Sequence, residues 1–201
     1  MAVHDPERSL SGRGRPPSTT RAQVSRTALE LFRARGFEQT TLADIAAALG
    51  VGRRTLFRYF PSKNDMVWGD FDVVLARLRA GLEDSGADEP MMDVLTRAVL
   101  ASNHHEGEAL EDLRMRMGLI IDVPALQAHS VLHYAEWQRV VAHFIAGRLG
   151  QAPEDIVPLM VAHMAFGASM AAFLRWVRFP AEDLEDHLRV GYARLAAAFP
   201  G

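Results

Sequence analysis

The stretch "TTLADIAAALGVGRRTLFRYFPSKND", Thr40 to Asp65, decides how the chain is read. Leu42, Ile45, Ala46 and Leu49 recur at the spacing of one helical face. Thr40 or Thr41 offers a hydroxyl N-cap, and Asp44 sits near the positive end of the helix dipole. Gly50 stops this helix, and Val51 and Gly52 form a tight link. A second short helix then runs from about Arg53 to Tyr59, with Leu56 and Phe60 as its apolar side, until Pro61 breaks it. Two short helices joined at a glycine corner, the second opening in arginine, predict a helix-turn-helix whose second helix enters the major groove of DNA.

The residue types suit that role. A major groove about 12 Å wide admits one helix, and arginine can direct two donors at guanine O6 and N7. Arg53 and Arg54 stand at the helix start, where base edges are read, and Thr55 and Arg58 can reach bases or phosphates. The Tyr59 hydroxyl and Lys63, the only lysine in the chain, are placed to hold phosphate. Thr40 and Thr41 can do the same at the start of the preceding helix.

Upstream, Val24, Ala28, Leu29, Leu31 and Phe32 predict a supporting helix from about Thr20 to a C-cap at Gly36. Residues 1–18 carry Gly12, Gly14, Pro16 and Pro17 among arginines and are expected to form a flexible basic arm. Downstream, Ser62 and Asp65 make an S-x-x-D capping pattern. It opens what reads as one long helix, with Met66, Phe71, Val74, Leu75, Leu78 and Leu82 on a single stripe, so the two lobes are expected to be joined rigidly. Beyond "EDSGADEP", helices are expected over Pro90 to about Asn103, Glu108 to Ile121, Ala125 to Leu149, Pro153 to Val177 and Ala181 to Phe199. The chain thus reads as all-α: an arm over 1–18, a DNA-binding domain over 19–65, and a helical ligand-binding and dimerisation domain over 66–201.

Charge follows the same division. Residues 1–64 hold 11 Lys+Arg against 5 Asp+Glu, and the remainder holds 11 against 20, within a net charge of −3. Only the basic third is expected to meet a polyanion. The absence of cysteine excludes disulfides, thiolate metal sites and a cysteine nucleophile. The N-terminus has no apolar core of a signal peptide, and no run approaches the roughly 18 uninterrupted apolar residues of a membrane span. A cytoplasmic protein with no membrane association is expected.

The stretch from Thr40 to Met66 resembles the DNA-binding domain of the TetR family of transcriptional repressors. There a T-x-x-x-I-A helix, a G-V turn, a T-L-Y/F-x-H/Y-F recognition helix and a lysine opening the fourth helix recur in that order. The resemblance covers about residues 20–67. It implies that Thr40, Thr41, Arg53, Arg54, Thr55, Phe57, Arg58, Tyr59 and Lys63 contact double-stranded DNA at a palindromic operator. Phe57 replaces the more frequent tyrosine, and Gly52 stands where a serine or threonine often caps the recognition helix. "GRPPST", "GVGRRTLFRYFPSKNDMVWGDFD" and "ALQAHSVLHYAEWQRVVAHFIAGRLG" further resemble TetR-type regulators found with mycofactocin biosynthesis genes, a subgroup whose implied ligands are acyl-coenzyme A thioesters.

The acidic part is expected to dimerise and to sense an effector, because one helix-turn-helix reads few base pairs and two related by a twofold axis read a palindrome. Small residues among bulky apolar ones in "PLMVAHMAFGASMAAFLRWV" and "LRVGYARLAAAF" allow close helix approach. The resemblance implies a homodimer through the last two long helices. Arg114, Trp137, His143, Phe144, His163, Met164, Phe166 and Met170 are the expected ligand-binding residues, adaptable apolar surface with a few polar groups. His129 and His133 have the i, i+4 spacing of a metal pair. The sequence places no third ligand beside them, so neither a metal nor a cofactor is expected.

No nucleophile elbow, phosphate-cradling glycine loop or metal triad supports catalysis, and no catalytic residue is assigned. The expectation is a repressor released from its operator by a small apolar or acyl-CoA-type effector. The alternatives are a helical protein-interaction adaptor and an enzyme acting on acyl thioesters.

Overall fold

The computed structural model describes residues 19–198, so the expected arm over 1–18 lies outside the described residues. Thr20 opens α1 (Arg21–Arg35) through a reciprocal capping box with Gln23, and Thr41 opens α2 (Leu42–Leu49) through one with Asp44. Gly50 ends α2 at φ 65°, a left-handed conformation that favours glycine, and turns the chain toward α3 (Arg53–Tyr59). Val24, Ala28, Leu29 and Phe32 of α1 bury against Ile45, Leu56 and Phe60. The seven-residue α3 therefore depends on its two apolar anchors for its position.

The expected long helix from Ser62 to Leu82 is two helices, α4 (Lys63–Trp68) and α5 (Phe71–Glu83). Gly69 breaks it at φ 56°, ψ −123°, a conformation essentially reserved for glycine. Arg21 holds the break from α1. It donates to the carbonyls of Tyr59 and, at 3.0 Å, of Gly69, pairs with Asp70 at 2.8 Å, and lies over the Phe60 ring. Met66 before the break and Leu75, Leu78 and Leu82 after it are all buried, so the apolar stripe runs through. The change in composition near residues 64–70 falls at a joint between lobes and not inside a rigid rod.

The second lobe comprises α5 with α6 (Met91–Asn103), α7 (Gly107–Asp122), α8 (Pro124–Leu149), α9 (Ile156–Arg178) and α10 (Leu184–Ala198). Among the described residues there are ten helices and no strand. α9 packs between α8 and α10. At its centre the fully buried Tyr192 hydroxyl meets Ser169 Oγ at 2.9 Å and the Ala165 carbonyl at 3.1 Å. α7 touches both α1 and α4, tying the lobes together.

By length and composition alone α9 could cross a membrane, although His163 interrupts its apolar run. Alanine, glycine and serine between its bulky residues keep it apolar without an unbroken apolar run. Val161, Ala162, Ala165 and Trp176 bury inside the fold, while Ile156, Met160, Met164 and Leu174 are exposed, as is Val190 of α10.

Candidate DNA interface and effector cavity

On α3, Arg53, Arg54, Phe57 and Arg58 face outward and Thr55 is half-buried. Phe57 is 48% exposed, an unusual placement for a large aromatic with no partner ring among the described residues. Gly52 caps α3 without a side-chain bond, at an ordinary φ of −79° and with open space where a Cβ would stand. Gly52→Ser is therefore expected to stabilise the protein by about a few tenths of a kcal/mol, the difference between these two residues at an N-cap. Denaturant unfolding measures it.

Three expected phosphate contacts are altered by the fold. Thr40 is buried, and its hydroxyl donates to the Gly36 carbonyl at 2.8 Å, so its side chain is withdrawn from the surface. The cap role fell to Thr41, which is exposed, with its hydroxyl on Asp44 at 2.6 Å. The Tyr59 hydroxyl donates its single proton to the Thr19 carbonyl and accepts from Arg58 at 3.1 Å. Lys63 lies over the Phe37 ring at 4.0 Å and donates to the carbonyls of Phe37 at 2.7 Å and Thr40 at 3.3 Å. It fastens the α1–α2 turn to the start of α4, leaving one N–H donor free.

Lys63→Met is accordingly expected to cost about 1–2 kcal/mol of folding stability, through two orphaned carbonyls and a lost cation–π contact. A smaller change is expected in the salt dependence of DNA binding. Urea unfolding and a salt titration of DNA affinity separate the two effects.

A cavity of about 340 Å³ opens where α1, α4, α5, α7, α8 and α9 converge. Its apolar wall includes Trp68, Phe71, Met117, Tyr134 and Phe173, together with three expected residues, Trp137, Phe166 and Met170. The aromatic rings interlock: Trp68 meets Phe71 at 5.0 Å and Tyr134 at 5.6 Å, and Tyr134 meets Phe166 at 4.6 Å. Its polar side carries Arg26, Arg77, Asp112 and Arg116. Burial pushes the Asp112 carboxyl above its usual range and pulls the Arg116 guanidinium down, an effect that the charges of Asp112 and Asp70 oppose. Among the described residues Arg116 has no hydrogen bond or ion pair, and it lies against the backbone of Gly69. Half-buried at the cavity wall, this cation remains charged and suits an anionic or polar partner.

The other expected ligand residues stand elsewhere. His163 and Met164 lie on the outer face of α9. His143 and Phe144 line a separate cleft between α5 and α8. Arg114 stacks over Trp176 at 4.3 Å and does not line the cavity. Helical spacing put them all on apolar helices, but which face turns to the cavity depends on how α7, α8 and α9 cross. Trp68, Tyr134, Asp112 and the clamp Arg21 were missed. An aromatic or a charge at helical spacing looks the same in sequence whether it lines a cavity, fills the core or faces water.

One pairing gains a partner from the fold. His129 and His133 on α8 stand beside Asp65 of α4, with His129 Nε2 3.1 Å from Asp65 Oδ1. The third residue absent from the sequence reading is therefore present, supplied by a distant segment. His133 stacks on Trp68 at 4.2 Å, and burial holds its imidazole below the usual histidine range.

Residues 25–67 match the family described as "Bacterial regulatory proteins, tetR family", and residues 89–200 match "MftR C-terminal domain". The chain is 39% identical over 179 residues to a Mycobacterium tuberculosis protein named as a mycofactocin biosynthesis transcriptional regulator, MftR. That alignment covers 89% of this chain and 90% of the relative. It is 31% identical to the HTH-type transcriptional regulator TcmR of Streptomyces glaucescens, covering 83% of this chain and 76% of that protein. Among solved structures it resembles Thermus thermophilus FadR, described as a TetR family transcriptional repressor in complex with lauroyl-CoA. The TM-score is 0.59 at 25% identity, covering 90% of this chain and 96% of that one. These relatives are regulators of transcription by name, in keeping with a chain that is not an enzyme.

Proposed function

The chain belongs to the TetR family of bacterial regulatory proteins, with a C-terminal domain of the MftR type, and from that premise we propose that it is a cytoplasmic, homodimeric repressor released from its operator by an amphipathic, acyl-CoA-type effector. The supporting observation is Arg116: a half-buried guanidinium with no described partner, on a largely apolar cavity wall, beside the glycine that breaks the chain between α4 and α5. The cavity volume of about 340 Å³ lies at the lower end of the roughly 300–1,000 Å³ usual for small-molecule sites. An acyl chain suits the aromatic wall, and the phosphates of coenzyme A suit Arg26, Arg77 and Arg116. The lauroyl-CoA bound by the FadR relative lends this class further support.

In this reading the DNA-binding domain spans residues 19–65, and the regulatory domain spans 66–201. Arg53, Arg54, Thr55 and Arg58 meet the groove, Phe57 contacts the backbone or a thymine methyl, and Thr41 and Lys63 approach phosphates. Ile156, Met160, Met164, Leu174 and Val190, exposed on α9 and α10, provide the dimer face. Dimerisation sets two α3 helices about one turn of DNA apart, roughly 34 Å. An effector that moves Arg116 moves the backbone of Gly69 and with it α4, and a small rotation there spoils the spacing.

The test is fluorescence anisotropy with DNA flanking the protein's own gene. Specific binding by a dimer at moderate salt, lost on adding dodecanoyl-CoA, supports the reading. Binding that dodecanoyl-CoA leaves unchanged removes this effector class, and the absence of sequence-specific binding removes the repressor.

A further inference from the structure

We propose that Asp65, His129 and His133 form a binding site for one divalent transition-metal ion of the borderline class, Zn²⁺, Co²⁺ or Ni²⁺, which clamps α4 to α8. One ligand atom from each residue lies within 4.8 Å of the other two. Around an ion bonded at about 2.0–2.2 Å, neighbouring ligand atoms stand roughly 3–3.5 Å apart, so closure needs side-chain shifts of only about an ångström.

The site is supported on every side. His129 and His133 are one helical turn apart and project from the same face of α8. His133 is fixed by its stack on Trp68 at 4.2 Å and by the edge of Phe71 at 5.2 Å. Ser62 donates its hydroxyl to Asp65 Oδ2, orienting the carboxylate while Oδ1 faces His129. Partners of this kind fix ligand geometry in metal sites. All three residues are half-buried, shielded from bulk water but reachable by an ion. A simple ion pair accounts for His129 and Asp65 but leaves His133 without a polar partner among the described residues. A metal uses all three.

The donor set selects the cation. Two imidazole nitrogens and one carboxylate suit borderline ions and leave positions open for water, whereas Ca²⁺ and Mg²⁺ demand mostly oxygen. The ion would join the first helix after the recognition helix to the longest helix of the regulatory lobe, next to the effector cavity, whose wall shares Trp68 and Phe71 with the site.

The experiment uses untagged full-length protein stripped with chelator and titrated with Co²⁺ under visible absorbance, then with Zn²⁺ in calorimetry. Expected are one ion per chain, cobalt ligand-field bands that Zn²⁺ abolishes, no displacement by millimolar Mg²⁺ or Ca²⁺, and a higher melting temperature with metal. His133→Phe, which keeps the stack on Trp68, and His129→Gln are each expected to weaken Zn²⁺ binding by more than about 10-fold, the effect of losing even an outer-shell partner. The melting temperature of each variant in chelator checks its fold, and His129→Gln leaves the Trp68 stack untouched. No uptake by the native protein overturns the proposal. So does uptake that both variants leave unchanged, which would place the ion elsewhere.

Discussion

Gly69→Ala is expected to destabilise the protein by about 2–5 kcal/mol, from a forbidden backbone conformation and an overfilled contact together. At φ 56°, ψ −123° the backbone is open to glycine alone. A Cβ at this position would also meet Arg116, with the guanidinium carbon only 3.0 Å away. Relief by moving Arg116 alters the cavity wall. Relief by changing φ removes the Gly69 carbonyl from Arg21, which also holds Tyr59 and Asp70. Either response disturbs the joint. Urea unfolding of purified Gly69→Ala measures the loss, and stability within about 0.5 kcal/mol of the native protein would show that this break is not a fixed feature of the fold.

Arg53→Ala and Arg54→Ala are expected to act on DNA and not on folding. Both side chains are exposed on α3 and have no hydrogen bond or salt bridge to another described residue, so their removal orphans nothing inside the protein. A well-placed bidentate arginine contributes about 1–3 kcal/mol of discrimination against the wrong base. Each variant should therefore lose roughly 5- to 150-fold of its preference for operator over unrelated DNA, with an unchanged unfolding curve. Competition anisotropy with the two DNAs reads the preference. Equal loss of affinity for both DNAs would reassign these arginines to phosphate, where contacts position the protein without reading sequence.

The helix-turn-helix was legible because its signals are local. Thr41, Gly50, Gly52 and Pro61 mark boundaries through caps and backbone rules that act within a few residues, and Leu56 and Phe60 had no other way to dock α3. The break at Gly69 was not legible, because a helix interior tolerates a lone glycine and the apolar stripe runs through. Its cause is Arg21, 48 residues earlier, whose bond to the Gly69 carbonyl only the fold creates. Thr40 and Lys63 were read as surface groups for the same reason: the carbonyls that engage them belong to the α1–α2 turn. Of the eight expected ligand residues, Trp137, Phe166 and Met170 reach the cavity. Helix rotation and crossing decide that outcome, and a spacing of three and four does not encode them.

The cavity, Arg116, Gly69 and α4 adjoin one another, so in the proposed function effector and operator compete through the joint. Coupling between two binding sites is reciprocal: whatever factor the effector imposes on operator affinity, the operator must impose on effector affinity. The deciding measurement is the dissociation constant of each ligand with and without saturating amounts of the other, using dodecanoyl-CoA and the DNA flanking the gene. Both affinities are expected to fall by the same factor, about 5- to 150-fold. An operator affinity that saturating dodecanoyl-CoA leaves unchanged would contradict this competition.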